Sequence, residues 1–273
     1  MSRRSEPATR PLVSAALAAA VTAGGLAFLD AGTGPSWRRR NYRGVEVTLS
    51  AGPAVAAGLL VGVGGRRELT GATVAVAGAA LAGFYDDCRS VRDDERVVKG
   101  FAGHLRALAA GQASAGAVKV VVVGLSSLAG AFLRSGASVE TALDGCLVAG
   151  SANLCNLLDL RPGRALKVAT AVTVAAAPFS HGVSRTMLGA SYGTLAVALP
   201  VDLGERSMLG DTGANALGAL VGSVLCTGSR RSRVLALSVV AGLTALSEKV
   251  SFSRVIATNP TLRWLDELGR AGG

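Results

Sequence analysis

Residues 70–87 read TGATVAVAGAALAGFYDD: an uncharged run of small and apolar side chains that stops on two adjacent carboxylates. Asp86 and Asp87 therefore emerge where an apolar helix reaches its end. Two neighbouring carboxylates at such a boundary are costly unless they are solvated, paired or metal-bound. One reading is a polar helix terminus that marks the edge of an apolar layer. The other is a site for a hard divalent cation, which takes one or two carboxylates and fills its shell with phosphate oxygens and water.

The same pattern recurs along the chain. Half of the 273 residues are hydrophobic, only 4 % are aromatic, and 36 are glycine. Crossing a hydrocarbon layer takes about 20 apolar residues, and candidate spans fall at 11–29, 51–64, 70–85, 117–133, 142–158, 166–179, 186–201, 208–226 and 233–247. Small residues allow lipid-embedded helices to approach closely. The expectation is an all-α polytopic membrane bundle of about 9–10 transmembrane helices, one membrane-embedded domain over residues 1–273. Cytoplasmic loops are expected at about 30–50, 86–116, 159–167 and 202–210, with a tail at 248–273. Arg3, Arg4 and Arg10 before the first apolar stretch resemble a signal peptide, but further spans follow, and the stretch reads as the first transmembrane helix.

With nine spans, the loops after the first, third, fifth, seventh and ninth share one face, and all three acidic motifs described here follow odd-numbered spans. Eighteen of the 28 Lys and Arg residues lie on that face, which marks it as cytoplasmic by the positive-inside bias. The Arg230, Arg231 and Arg233 cluster lies opposite. The net charge of +10 sits in short loops with no aromatic-interleaved basic stripe, which argues against nucleic acid and for anionic lipids and substrates. Cys88, Cys146, Cys155 and Cys226 show no CxxC spacing and read as packing residues.

The second acidic motif is Asn153-Leu154-Cys155-Asn156-Leu157-Leu158-Asp159. Asn153, Asn156 and Asp159 recur every three positions, so they form one polar stripe on an apolar helix, suited either to bonding a neighbouring helix or to lining a cavity. Arg161, Arg164 and Lys167 follow at once, and a basic cluster beside a carboxylate suits a diphosphate. The third motif is Gly210-Asp211-Thr212-Gly213. It puts a carboxylate and free backbone N–H groups at a helix start, although a plain Asp N-cap gives the same pattern. Lys99, in Lys99-Gly100-Phe101, is either a phosphate partner or a solvated interfacial lysine. His104 reads as a surface residue, and His181 falls on the opposite face.

In this order between apolar spans, Gly83-Phe84-Tyr85-Asp86-Asp87, Lys99-Gly100-Phe101, Asn153…Asn156…Asp159 and Gly210-Asp211-Thr212-Gly213 resemble the motifs of the polyprenyl-phosphate sugar-1-phosphate transferases, over roughly residues 40–227. The resemblance implies a plasma-membrane, multi-pass bundle of about ten spans, often a dimer, with a cytoplasmic active site that uses Mg²⁺, or Mn²⁺ in its place. It implies transfer of a sugar-1-phosphate from a UDP-sugar to polyprenyl (undecaprenyl or decaprenyl) phosphate, releasing UMP, in cell-envelope glycan synthesis. By position, Asp86, Asp87 and Asp211 take the catalytic and metal roles, while Lys99, Asn153, Asn156, Asp159, Arg161 and Arg164 take the substrate. Two departures point to a divergent branch. Leu160-Arg161-Pro162-Gly163 puts Pro162 where the family carries a second carboxylate, and residues 248–270 lack the histidines of the peptidoglycan branch. A non-catalytic relative that binds lipid phosphate or scaffolds envelope assembly is the alternative, and a small-solute transporter a more distant one.

Overall fold

The computed structural model describes residues 9–32, 34, 37–89 and 115–271; Lys99 and His104 lie outside these. The nine apolar segments all correspond to helices: α1 Thr9–Gly32, α2 Ala51–Val63, α3 Thr70–Arg89, α4 Ala115–Ser135, α5 Val139–Leu158, α6 Arg164–Ala176, α7 Val183–Leu203, α8 Gly210–Leu225 and α9 Arg230–Ser247. Two short helices, α10 Phe252–Thr258 and α11 Pro260–Glu267, follow. Among the described residues the fold is all-α apart from one small hairpin, β1 Arg38–Arg40 with β2 Glu46–Thr48.

Helix α8 is the central post of the bundle, and every residue from Thr212 to Val224 is buried. A helix that is apolar or small on all sides must be enclosed, and α2, α3, α5, α6 and α7 enclose it. Glycines make the close approach possible. A Cβ at Gly222 would fall 2.8 Å from Val148 Cα on α5, so larger residues there would force the helices apart. Helix α1 packs against α2 and α7 instead.

The outer helices are built inside out relative to a water-soluble domain. The residues α1 buries are Ser14, Ala18, Thr22 and Leu26, spaced one turn apart, while Leu12, Val13, Leu17 and Phe28 face outward, Phe28 at 79 % exposure. Leu125, Phe132 and Leu133 on α4 and Leu235 and Val239 on α9 are exposed in the same way. Among the described residues three segments are long and apolar enough to cross a membrane: Thr9–Gly32, Arg67–Arg89 and Gly116–Ser135. Helices α9 and α10 make a fourth if taken as one segment bent by 91°. The other five apolar segments, α2, α5, α6, α7 and α8, form helices that are shorter or less apolar than this, so the expected nine to ten membrane-crossing helices reduce to three or four that are long and apolar enough.

The helices alternate in direction, so their ends gather in two layers. At one end Asp144, 1 % exposed, is gripped by Arg134 of α4 and by Arg233 of α9 at 2.8 Å, and Glu140 meets Arg233 at 2.6 Å. The other end carries the hairpin, the α5–α6 turn, the α7–α8 loop and the C-terminal tail. Gly44 closes the hairpin turn with φ +78°, a conformation open mainly to glycine, and Met208 N–H donates to Thr48 O at 2.9 Å to tie the hairpin to the α7–α8 loop. The tail is pinned by Arg164, which donates to both Asp266 oxygens at 2.7 and 3.1 Å and to Ser253 Oγ at 3.0 Å. Burial alone would raise the Asp266 carboxyl, but Arg164 and Arg270 hold it below the usual carboxylate range. The tail lock thus contributes fully above the ordinary carboxylate pKa of about 4 and is lost only as the pH falls through the depressed value.

Candidate active site

The site begins with the start of α8. Its first N–H groups have no partner within the helix, and Asp87 on α3 supplies one. Asp87 Oδ1 accepts from Asp211 N–H at 3.0 Å, and Oδ2 accepts from Thr212 N–H at 2.9 Å and from Thr212 Oγ1 at 2.6 Å. This is an N-cap delivered from a neighbouring helix, placed where a negative charge best complements the helix dipole. Gly210, just before it, has φ +56°, and a Cβ there would stand 3.0 Å from both Asp87 oxygens. The Gly-Asp-Thr-Gly motif is therefore shaped by Asp87 as much as by its own sequence.

Capping leaves Asp211 free to turn its side chain sideways. Its carboxylate meets Lys119 Nζ of α4, which also lies 3.6 Å from Asp86 Oδ2, and the Asp86 and Asp211 carboxyls meet each other. Asn156 of α5 completes the group. With its amide oriented to match its neighbours, its nitrogen donates to Asp211 Oδ1 at 2.8 Å and its oxygen accepts from Lys119 Nζ at 3.0 Å. Asp159, at the end of α5, lies near the Gly210 N–H, so the polar stripe on α5 is aimed at the start of α8. Three helices, α3, α5 and α8, thus bring Asp86, Asp87, Asn156, Asp159 and Asp211 to one end of the bundle, where Lys119 of α4 joins them.

The other sequence-assigned residues fare differently. Asn153 is half-buried one turn back on α5, and none of the hydrogen bonds between described residues joins it to the carboxylates. Arg161 lies over the Tyr42 ring at 4.0 Å. It borders an open pocket of about 350 Å³ between the hairpin, the α5–α6 turn and the α7–α8 loop, lined also by Asp159, Asp202 and Ser207. Arg164 is buried, and its guanidinium is spent on Asp266 and Ser253 rather than facing the carboxylates. The reading of Arg164 as a substrate ligand therefore gives way to a structural one: its proximity to Asp159 in sequence reflects the tight α5–α6 turn, not a shared pocket. Lys99 lies outside the described residues.

Asp87 likewise differs from its assigned role. With both oxygens engaged by the start of α8 it positions Asp211, leaving Asp86 and Asp211 as the pair that faces a cation. Among the described residues no group of three or more His, Cys, Asp or Glu side chains is set to hold a metal ion. Two hard carboxylates converging on one ammonium nevertheless match the way Mg²⁺ is commonly held, by one or two carboxylates with substrate phosphates and water. The donor set fits that ion.

Lys119 was the residue that motif reading overlooked. Its signal was present: a lone lysine among Ala117, Val118, Val120 and Val121 is an ionisable group inside an apolar helix, which by itself calls for a partner. No family model and no curated protein matches the chain.

The closest backbone approach in the site is at Gly83, where an added Cβ would run into the Asp211 carbonyl and come within 2.6 Å of Thr212 N. Backbone cannot yield as a side-chain tip can, so Gly83→Ala must move α3 against α8. Gly83→Ala is accordingly expected to destabilise the fold by about 1–3 kcal/mol, lowering the thermal unfolding midpoint followed by circular dichroism while the helical content at low temperature stays unchanged. An unmoved midpoint would show that the α3–α8 contact tolerates the added methyl group.

Proposed function

We propose that the chain is an integral membrane enzyme that transfers a sugar-1-phosphate from a UDP-sugar to a polyprenyl phosphate, with its active site at the cytoplasmic membrane face. The observation that carries this reading is the meeting of Asp86 and Asp211 with Asn156 and Lys119, drawn from four helices, at one end of a bundle whose outer surface is apolar. The apolar exterior of α1, α4 and α9 suits lipid contact, and the site lies at the helix ends, where a lipid headgroup and a soluble nucleotide can meet. Asp86 and Asp211 would hold the divalent ion, which when bound would supply positive charge to neutralise the diphosphate and the charge that develops on it.

The residues themselves do the positioning on which phosphoryl transfer mostly depends. Asp87 fixes the start of α8 and so the direction of the Asp211 side chain. Asn156 orients Asp211 from the other side and presents an amide to the substrate. Lys119 offers an ammonium to phosphate oxygens. The pocket bordered by Tyr42, Asp159 and Arg161 opens at the same end of the bundle and is assigned to the nucleotide or sugar. An oxygen of the lipid phosphate attacks the β-phosphorus, the bond from that phosphorus to the bridging oxygen breaks, and UMP leaves with the electron pair. The attacking phosphate is already ionised at neutral pH, so no general base is required.

The full chain in lipid nanodiscs, given polyprenyl phosphate, Mg²⁺ and a panel of UDP-sugars, is expected to release UMP with one of them and form a lipid diphosphate sugar of matching mass. Binding of the lipid phosphate without release of UMP from any donor would replace the enzyme reading with a non-catalytic one.

A further inference from the structure

We infer that Lys119 is the resident counter-cation of the carboxylate pair, so that its ammonium and a divalent ion compete for the same oxygens of Asp86 and Asp211. The inference rests on the metal assignment above and goes beyond it by giving a role to a residue outside the sequence motifs.

Three observations carry it. First, an ammonium has three N–H donors, and Lys119 Nζ faces three oxygen acceptors: Asp211 Oδ2, Asp86 Oδ2 at 3.6 Å and, in the matched amide orientation, Asn156 Oδ1 at 3.0 Å. These come from α8, α3 and α5, so the ammonium stands where those three helices converge. Second, the acceptors include the two carboxylates that the donor chemistry assigns to a divalent ion. A dication brought to those oxygens would repel a neighbouring ammonium twice as strongly as a unit charge would, so the two cannot share them at contact distance. Third, the lysine can leave without unfolding its surroundings. Its side chain is 15 % exposed, and the four-carbon stem is flexible with a compact charge at its tip. A freed ammonium has a partner at hand in the phosphate that accompanies the ion. Asp87, the other nearby carboxylate, is turned toward the start of α8 and is not the anchor.

Competition predicts that removing the ammonium strengthens metal binding even as it harms catalysis. Mn²⁺ bound to the full chain, read by electron paramagnetic resonance, is expected to be held about tenfold more tightly by Lys119→Met than by wild type, a difference of about 1.4 kcal/mol. Lys119→Arg, which keeps the charge, is expected to retain the wild-type affinity. A second measurement avoids substitution altogether. Reductive methylation of the wild-type protein, followed by mass spectrometry, is expected to label Lys119 severalfold faster with Mn²⁺ than without it, while Lys167 and Lys249 label at unchanged rates. If wild type binds Mn²⁺ but neither the affinity in Lys119→Met nor the labelling of Lys119 changes, the role of Lys119 is overturned and the metal assignment survives. If wild type binds no Mn²⁺ at millimolar concentration, the metal assignment fails and this inference fails with it.

Discussion

Asp211→Asn is expected to lower the rate of sugar-1-phosphate transfer by about a thousandfold, the scale reached when one electrostatic contact to the developing charge is removed, while the protein unfolds within a few degrees of the wild-type temperature. The two halves of this expectation have separate causes. Asp211 joins the start of α8 to Asp87 through its backbone N–H, at 3.0 Å, and its carbonyl accepts from Asn215 Nδ2 at 2.7 Å. Neither bond uses the side chain, so an isosteric amide leaves the cap intact. What the substitution removes is the negative charge that Asp211 presents together with Asp86. Since in the proposed reaction that charge acts on the phosphates, kcat and kcat/KM should fall together. Asp87→Asn provides the contrast. It weakens the two backbone bonds and the Thr212 bond that fix α8, so it should cost about 1 kcal/mol of stability in addition to activity. Full turnover by Asp211→Asn in the UMP-release assay would remove the carboxylate pair from the mechanism.

How much of this site could be read from the sequence depends on how far apart its partners lie. The helices were legible because each is a block of apolar or small residues, and the direction of the α5 stripe was legible because Asn156 and Asp159 repeat at helical spacing. Span counting placed Asp86, Asp159 and Asp211 on one face, and the structure gathers them at one end of the bundle. Exchanging roles between neighbours was beyond a linear reading. Asp86 and Asp87 are equivalent in sequence, and only the position of Thr212, 125 residues from Asp87, shows which one caps and which one faces the cation. Arg164 invited the wrong partner for the same reason: Asp159 is five positions away, but the carboxylate it grips is Asp266, 102 positions on. The hairpin left almost no trace, because its strands are three residues long and Val47 is their one buried side chain. Lys119 belongs to none of the motifs, although a lysine among Val118, Val120 and Val121 calls for an anion nearby.

Asp144→Ala is expected to destabilise the fold by about 3–5 kcal/mol, the cost of removing one partner from a buried ion pair, and so to lower the unfolding midpoint by about 10 °C. Asp144 is 1 % exposed and is held by Arg134 and Arg233, whose side chains are 37 % and 13 % exposed. Without the carboxylate, Arg134 can turn toward water along its flexible stem. Arg233 is too enclosed to follow and is left with Glu140, at 2.6 Å, as its sole ion-pair partner among those described. The clamp joins α4, α5 and α9 at the end of the bundle away from Asp211, with Asp144 about 18 Å along α5 from Asn156 at 1.5 Å of rise per residue. Stability and chemistry should therefore separate: below its midpoint, Asp144→Ala should bind Mn²⁺ with wild-type affinity and retain transfer. Replacing the enclosed pair with apolar residues, Asp144→Leu with Arg233→Leu, should recover most of the lost midpoint, since burying hydrocarbon avoids the desolvation that the charges require. Thermal scans of the single and double variants by circular dichroism decide the matter, and a midpoint unmoved by Asp144→Ala would show that the three helices hold together without the clamp.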